Sequence, residues 1–248
     1  MAEYLMGIDA GTGSVRVALY DFRGQNRAYH IEEYATTYPK NGWAEQDDKG
    51  WWAALTKAIP ECIKKAGIGP DNIAAITCDA TTNTLVYLGE DDESVRPPIL
   101  WMDVRATEEA SFIDEIRDDY EATRFYKPSF RADTMVPKCM WVKKHEPENW
   151  AKTKTIMEFE DWLNWKLTGK KSVCMSIAAF RWNYDDKNGG YPIDFYNAVG
   201  LDDVVEKFPK DIYRVGEIIG NVSREAAQVF GLSTKTVVVE GTADCNAC

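Results

Sequence analysis

The sequence predicts an α/β protein whose mixed sheet opens with an antiparallel meander and is flanked by helices. Apolar residues alternate over 15–19, as they do in a half-buried strand, and this segment follows a short apolar run and a glycine turn. Helical spacing over 51–66 then precedes the apolar run 73–78, which fits a buried parallel strand reached by a crossover. Antiparallel strands followed by a helix-to-strand crossover define this fold class.

The first hairpin combines a carboxylate with a glycine turn. Asp9 ends the first strand, where it would be able to hold a metal ion. Gly11 and Gly13 follow it, and positive φ at these glycines would let the amides of 11–14 converge on phosphate oxygens. A Rossmann loop is excluded because Arg16 stands where the third glycine belongs, and no GxxxxGK(S/T) pattern occurs. The arrangement is typical of actin-like ATPases, and an ordinary hairpin turn is the alternative.

The middle of the chain continues the alternation of strands and helices. A turn at 21–24 leads to a third antiparallel strand over 28–34. The helix that follows has Asp47 or Asp48 as its N-cap and Gly67 as its stop. Further strands are predicted at 85–88 and 99–101, and the region 106–165 is predicted to be mainly helical.

Polar residues follow two predicted strands at their carboxyl ends. The segment 79–82 follows the strand 73–78, and Asp244 follows the β-branched run 236–240. Ligands of open α/β sheets bind at the carboxyl edge, so Asp9 and Asp244 could converge on one cleft if their strands share a sheet. A helix N-cap is the alternative interpretation of Asp244.

Composition narrows the class of protein. With 248 residues and 45% hydrophobic content, and without a Pro/Gly/Ser-rich linker, the chain is interpreted as one domain. A net charge of −11 disfavours nucleic acid and anionic membranes as partners and favours small neutral substrates or metal-bound phosphates. The acidic start and the interruption of the first apolar run by Asp9 argue against a signal peptide or membrane span, so we expect a cytoplasmic protein.

Cysteine, histidine and tryptophan offer few further sites. The six cysteines are expected to stay reduced, and Cys245 and Cys248 are interpreted as small buried residues because no second pair completes a zinc site. The two histidines lack zinc spacing. Tryptophans at helical spacing are interpreted as core, namely Trp51, Trp52, Trp141, Trp162 and Trp165. Trp101, after a predicted strand, is the exception that we keep as a site candidate.

Five segments in order resemble the amino-terminal half of the FGGY carbohydrate kinases, and the resemblance runs from Tyr4 to Cys248. The segments are 7–14 (GIDAGTGS), 42–47 (GWAEQD), 97–105 (PPILWMDVR), 162–169 (WLNWKLTG) and 241–244 (GTAD). Each is modest alone, but their order and separations make the resemblance strong. It implies a ribonuclease-H-like, actin-type ATPase domain that transfers the γ-phosphoryl group of ATP to a sugar hydroxyl.

The resemblance also implies roles for individual residues. Asp244 would be the catalytic base, and Asp9 would help to hold Mg²⁺, through water. The phosphates would be bound by Gly11, Thr12, Gly13 and Ser14. The sugar would be bound by Asp79, Ala80, Thr81, Trp101, Asp103, Arg181 and Asp244.

The sugar site resembles one subgroup more than the others. The segment 79–82 (DATT) is similar to ribulokinase-like members and lacks both the Met-His-Gly of xylulokinases and the Arg-Glu of glycerol kinases. Ribulokinase-like proteins often have a lysine where Arg181 stands. Because arginine is bulkier and donates through a forked guanidinium, this difference leaves the identity of the substrate undecided. We expect the substrate to be a ketopentose of the ribulose or xylulose type, with ribulose favoured. The alternatives are a glycerol- or erythritol-type polyol, a non-catalytic actin-like nucleotide-binding module, and a sugar-binding or regulatory fragment.

Family members are about twice as long as this chain. The resemblance therefore implies that 1–248 form the sugar-binding and phosphate-hairpin domain, and that a second, adenosine-binding domain lies outside these residues. We expect the 248 residues alone to turn over poorly or not at all. The sequence leaves the oligomeric state open, with a homodimer as one option.

Overall fold

A mixed sheet forms the centre of the structure, a computed structural model that describes residues 3–123 and 129–247. The strands are β1 (Tyr4–Ala10), β2 (Ser14–Asp21), β3 (Asn26–Glu33), β4 (Thr36–Thr37), β5 (Glu45–Gln46), β6 (Ile73–Ala80), β7 (Leu85–Leu88), β8 (Thr155–Glu158), β9 (Ser172–Cys174), β10 (Asp211–Tyr213), β11 (Ile218–Asn221) and β12 (Val237–Ala243). Among the described residues, six strands form the main sheet in the order β11-β12-β6-β1-β2-β3.

Helices surround this sheet. They are α1 (Asp48–Ala66), α2 (Thr107–Ile116), α3 (Met135–His145), α4 (Pro147–Lys152), α5 (Phe159–Thr168), α6 (Met175–Arg181), α7 (Ile193–Ala198), α8 (Arg224–Phe230) and α9 (Asp244–Ala247). Short 3₁₀ helices lie at Pro70–Asn72, Arg117–Asp119, Glu121–Thr123 and Val205–Lys207. None of the described helices is long and apolar enough to cross a membrane.

The opening meander and the crossover are as the sequence predicts. β1 pairs antiparallel with β2, and β2 pairs antiparallel with β3. β6 runs parallel to β1 after the crossover through α1, and β12 runs parallel to β6. The carboxyl ends of β1, β6 and β12 consequently meet at one edge of the sheet.

The crossover helix α1 begins and ends at the predicted residues. The Asp47 carboxylate accepts a hydrogen bond from the Lys49 amide at 2.9 Å, which makes Asp47 the N-cap. Gly67 ends the helix in the left-handed conformation, with φ of 67°. Trp51 is buried against Phe159, and their rings stack with centroids 3.7 Å apart. α1 also packs against β2 and β3, so its apolar face covers one side of the main sheet.

One prediction of secondary structure is wrong. The segment 99–101 forms no strand; Ile99 makes only isolated bridges, to Glu45 and Leu85. The described part of 106–165 is mainly helical, as predicted, but it also contains a strand, β8, which pairs with β7 outside the main sheet. All four residues of β8 are buried, and a short apolar segment does not distinguish a strand from a buried helix by its periodicity.

The core contains the tryptophans predicted for it. Trp51 and Trp162 are buried in the cluster on the main sheet, and Trp52 and Trp165 pack against that cluster. Trp141 belongs to a second cluster, which includes residues of β7, β8 and α3. The core interpretation is confirmed for all five side chains.

The cysteines of the described residues are free thiols. Four of them are buried, namely Cys62, Cys78, Cys139 and Cys174. Cys245 is exposed, so its interpretation as a buried residue is wrong. It follows Asp244 at the sheet edge, where α9 leaves the core. Cys248 lies outside the described residues.

Candidate active site

Three aspartates lie at the carboxyl edge of the main sheet. Asp9 is near the end of β1, Asp79 is near the end of β6, and Asp244 directly follows β12. Asp9 and Asp79 are register partners on adjacent parallel strands, and Thr242 of β12 is the partner of Asp79 on the other side. The sheet order therefore places Asp79 between the two aspartates that the sequence predicts to converge.

The three carboxylates act on one another electrostatically. Burial, together with the charges of Asp9 and Asp244, raises the pKa of Asp79 to about 7. Burial and the charge of Asp9 also raise the pKa of Asp244. Asp244 is the first residue of α9 and accepts a hydrogen bond from the Cys245 amide at 2.7 Å. The edge thus concentrates negative charge, and a cation would relieve the repulsion.

Arg16 is the cation that the structure adds to this edge. It is the register partner of Asp9 across the β1–β2 hairpin, and the two side chains form an ion pair. A Cβ added at Gly11 would lie 3.3 Å from an Arg16 guanidinium nitrogen, so the guanidinium lies against the turn. In the sequence alone, Arg16 excludes a Rossmann loop but is not a predicted site residue. The antiparallel register, in which Asp9 and Arg16 stand opposite each other, was the signal that could have found it.

The glycine turn is shaped differently from the prediction. Positive φ was expected at Gly11 and Gly13, but neither is among the glycines with positive φ. The Gly11 amide donates to the Ser14 carbonyl at 3.0 Å, so this amide closes the turn instead of facing a ligand. A Cβ added at Gly13 would meet no atom within 4 Å. Gly13 therefore leaves open space in which a ligand could approach the backbone closely, and its own backbone is in an ordinary conformation.

Side chains from three segments hold the turn in place. The Tyr34 hydroxyl donates to the carbonyls of Gly11 and Ser14. The side-chain amide of Gln46 donates through Nε2 to the Thr12 carbonyl at 2.5 Å, and the Trp51 indole N–H donates to Gln46 Oε1 at 2.8 Å. These contacts explain the segment 42–47, because Gln46 supports the turn and Asp47 caps α1.

Trp101 links the turn to the end of β6. Its side chain is 40% exposed, and its indole N–H donates to Thr12 Oγ1 at 2.9 Å. Its amide donates to Thr84 Oγ1 at 3.3 Å, and the Thr84 hydroxyl is 2.9 Å from that of Thr81. Thr81 is buried and Ala80 is completely buried, so Trp101 presents more surface than either.

Asp103 lies in the interior and not at the open edge. Its side chain is fully buried, and its oxygens accept hydrogen bonds from the Ala44 amide at 2.6 Å and from the Arg105 guanidinium at 2.7 and 2.9 Å. Arg105 also pairs with Glu45 at 2.8 Å. Because the protein itself engages both carboxylate oxygens, the expected sugar contact of Asp103 does not fit this structure. Asp103 instead joins the segments 42–47 and 97–105.

Arg181 is brought close to Asp244. It ends α6, and its charge lowers the pKa of Asp244 against the dominant effect of burial. The Nε of Arg181 is buried, and within the described part of the chain it has no hydrogen-bond partner. A cavity of about 930 Å³ opens beside it, with Thr134, Met175 and Asn183 among its lining residues. The cavity leaves room for a polar ligand beside Arg181; Asp244 is not among its lining residues.

Gly241 positions the strand that carries Asp244. The pairing of β12 with β6 is irregular between Val239 and Thr242, as in a β-bulge. A Cβ added at Gly241 would lie 1.7 Å from the Cys78 carbonyl oxygen, a distance that no side chain tolerates. Glycine at 241 is therefore required for the backbone of β12 to approach β6 immediately before Asp244.

Residues 4–248 match the model of the N-terminal domain of the FGGY family of carbohydrate kinases. The chain belongs to this family. A xylulose kinase of Staphylococcus epidermidis is 28% identical over 247 residues, which cover 99% of the chain and 48% of that protein. The chain therefore spans about half the length of the curated relatives it matches.

Solved structures of sugar kinases share the fold of the chain. A gluconate kinase from Lactobacillus acidophilus superposes with a TM-score of 0.85 at 23% identity, covering 98% of the chain and 48% of that structure. A glycerol kinase from Plasmodium falciparum with ADP superposes with a TM-score of 0.81 at 18% identity, covering 98% and 48%. The prediction of an actin-like ATPase fold is confirmed.

Proposed function

We propose that this FGGY-family chain provides the sugar-binding and phosphate-binding half of an ATP-dependent kinase for a ketopentose of the ribulose or xylulose type. The observation that carries the proposal is the meeting of Asp9, Asp79 and Asp244 at one sheet edge, beside the β1–β2 glycine turn, in which Gly13 is exposed. The relatives named as xylulose kinases and the ADP-bound glycerol kinase support the substrate class and the nucleotide.

Asp244 is proposed as the catalytic base. A sugar hydroxyl has a pKa far above 7, so Asp244 orients it and accepts its proton while the new bond forms. Burial raises the pKa of Asp244, which makes its carboxylate a stronger proton acceptor than an exposed aspartate. Arg181 opposes this shift and would help to keep Asp244 ionised before substrate binds.

Asp9 and Asp79 fit a magnesium site. Mg²⁺ prefers oxygen ligands and keeps several waters, and two adjacent carboxylates at an open edge offer such ligands. When bound, the ion would neutralise charge on the phosphates of ATP. Thr12, Gly13 and Ser14 would face those phosphates, and Arg16 is proposed to join them when a phosphate competes with Asp9 for its guanidinium.

The first test replaces the proposed base. In the chain completed with an adenosine-binding half, Asp244→Asn should lower sugar-dependent ADP release at least about 100-fold, because a positioned base contributes about 10²–10⁴-fold. Binding of the sugar, measured by calorimetry, should change little. Asp211→Asn, at an exposed position on β10, is the control and should keep full activity.

The same assay identifies the substrate. ADP release is measured with ribulose, xylulose, glycerol, erythritol and hexoses, and the proposal predicts the highest rate with a ketopentose. Turnover with a polyol alone would contradict the ketopentose class. If Asp244→Asn keeps full sugar-dependent turnover, or if ATP is hydrolysed without response to any sugar, the assignment as a sugar kinase is wrong and an actin-like nucleotide module is favoured.

A further inference from the structure

A second group of acidic side chains lies inside the molecule, behind the sheet edge. Glu160 is in the first turn of α5, Cys174 ends β9, and Glu240 lies in β12. Their ligand atoms all lie within 4.8 Å of one another. We propose that Glu160, Cys174 and Glu240 bind a divalent transition-metal cation, with zinc as the best match.

The burial of these groups requires a counter-charge. Glu160 and Glu240 are each 1% exposed, and Cys174 is completely buried. Within 3–123 and 129–247, no lysine, arginine or histidine forms an ion pair with Glu160 or Glu240. Buried carboxylates are normally paired or bound to metal, so a missing partner is implied.

Buried oxygens without a hydrogen-bond partner in the described part of the chain occur in the cluster and in its neighbour Asn164. Glu160 Oε2, Glu240 Oε2 and Asn164 Oδ1 are buried and have no hydrogen-bond partner among the described residues. Asn164 is completely buried, and its Nδ2 donates to Glu160 Oε1 at 2.7 Å and to Glu240 Oε1 at 3.1 Å. The Asn164 amide is thus aimed at the cluster. A half-turn of the amide presents its oxygen instead, which makes a fourth donor available to a cation.

A cation accounts for these groups better than a shared proton. A proton shared between Glu160 and Glu240 would pair the two carboxyl groups with each other, but it would leave Asn164 Oδ1 without a partner. Asp161 lies beside the cluster; it is completely buried, and its carboxyl group accepts a hydrogen bond from the Cys174 amide at 2.7 Å. A divalent ion would engage several of the buried acceptors together.

The donor set selects the kind of metal. A thiolate ligand disfavours Mg²⁺ and Ca²⁺ and favours zinc, while carboxylate oxygens are common zinc ligands as well. Cys174 Sγ lies 3.3 Å from Ser176 Oγ and 3.5 Å from the Gly241 carbonyl, so the sulfur already sits beside β12. A closed, fully buried site of this kind is structural. It would tie α5 and β9 to the strand that ends at Asp244.

Metal content is the direct test, and it needs neither sugar nor nucleotide, so its outcome is separate from that of the proposed kinase activity. The chain is refolded with zinc and dialysed, and its zinc content is then measured by inductively coupled plasma mass spectrometry. We expect about one zinc per chain. Cys174→Ser and Glu240→Gln should lose most of it. Two controls should keep it, Cys139→Ser in the second core cluster and Cys245→Ser at the exposed thiol.

Cobalt gives a measurement that does not depend on the variants folding. Unaltered chain refolded with Co²⁺ should show a thiolate-to-cobalt charge-transfer band, and zinc should raise the midpoint of thermal unfolding over chain treated with chelator. Absence of bound zinc together with absence of this band would overturn the proposal. Retention of the metal in Cys174→Ser, or its loss in Cys245→Ser, would overturn it too, since either result would place the ion at another thiol.

Discussion

Asp79 shows how strongly position determines the chemistry of a side chain. Burial comes first and the charges of Asp9 and Asp244 second in raising its pKa to about 7. Near neutral pH a substantial fraction of Asp79 is therefore protonated, and a protonated carboxyl donates a hydrogen bond where a carboxylate only accepts. Binding of a cation would favour the ionised form, so metal binding and proton release at this edge should be linked.

Gly241 allows a sharp test at the scale of one residue. Gly241→Ala places a Cβ against the Cys78 carbonyl, and the two strands must separate because neither backbone can move aside cheaply. We expect the free energy of unfolding, measured by urea denaturation, to fall by about 3 kcal/mol or more. Gly7→Ala in β1 is the matched control, since its Cβ would meet no atom within 4 Å. Equal stability of the two variants would contradict the close approach.

The residues of the candidate site were predictable to different degrees. The positions of Asp9 and Asp244 at the sheet edge could be predicted because each ends a strand, and strand ends can be recognised from the local pattern. Asp103 was expected to contact sugar, but only tertiary structure shows that Ala44 and Arg105 use its oxygens. The conformation of Gly13 was also missed, because a GxG pattern does not distinguish positive φ from a need for space.

At the scale of elements, α1 depends on its N-cap. Asp47→Ala removes the acceptor for the Lys49 amide and should lower the free energy of unfolding by about 1 kcal/mol, measured by thermal or urea denaturation. Asp47→Asn keeps a capping oxygen, so its free energy of unfolding should lie within about 0.3 kcal/mol of that of the unaltered chain. A full loss in the asparagine variant would show that charge, and not capping, is responsible.

Lys138 joins α3 to the turn after β6. Its ammonium group is buried and donates to the carbonyls of Asn83 at 2.6 Å and Leu100 at 2.7 Å. Lys138→Met leaves both acceptors unpaired and should cost about 1–3 kcal/mol at pH 7.

The pH dependence of that loss is a separate prediction. Burial lowers the pKa of Lys138 from 10.5 to about 8, so between these values the unfolded chain binds more protons at this residue than the folded chain. The unaltered chain should therefore gain stability relative to Lys138→Met as the pH rises from about 8 to 10.5. Urea denaturation across this range measures the difference. Lys144→Met, at an exposed position on the same helix, should show no such trend.

The elements that the sequence predicts best are those with complete local signals. α1 has a cap, a helical apolar face and a terminal glycine, and all three are visible in the sequence. β8 has none of these, and its pairing with β7 joins residues about 70 positions apart, which periodicity cannot reveal. The pairing of β12 with β6 joins residues about 160 positions apart, but the β-branched run over 236–240 identifies the strand itself.

For the whole molecule, the decisive relationship is that the chain spans about half the length of its curated relatives. Phosphoryl transfer in such proteins needs a site that excludes water when it closes. We therefore expect the 248 residues alone to release ADP far more slowly than the chain joined to an adenosine-binding half. A coupled ADP assay with each ketopentose measures both. Equal rates would show that closure over the sheet edge is unnecessary.

The anchored turn between β1 and β2 has a consequence for how a phosphate would be received. Tyr34, Gln46 and Trp101 already restrain the loop before anything binds. A ligand would then lose little affinity to ordering of the backbone, since that entropy was spent when the protein folded. Association should accordingly be fast and insensitive to loop rearrangement, and the slow conformational step of any catalytic cycle should be sought elsewhere in the molecule.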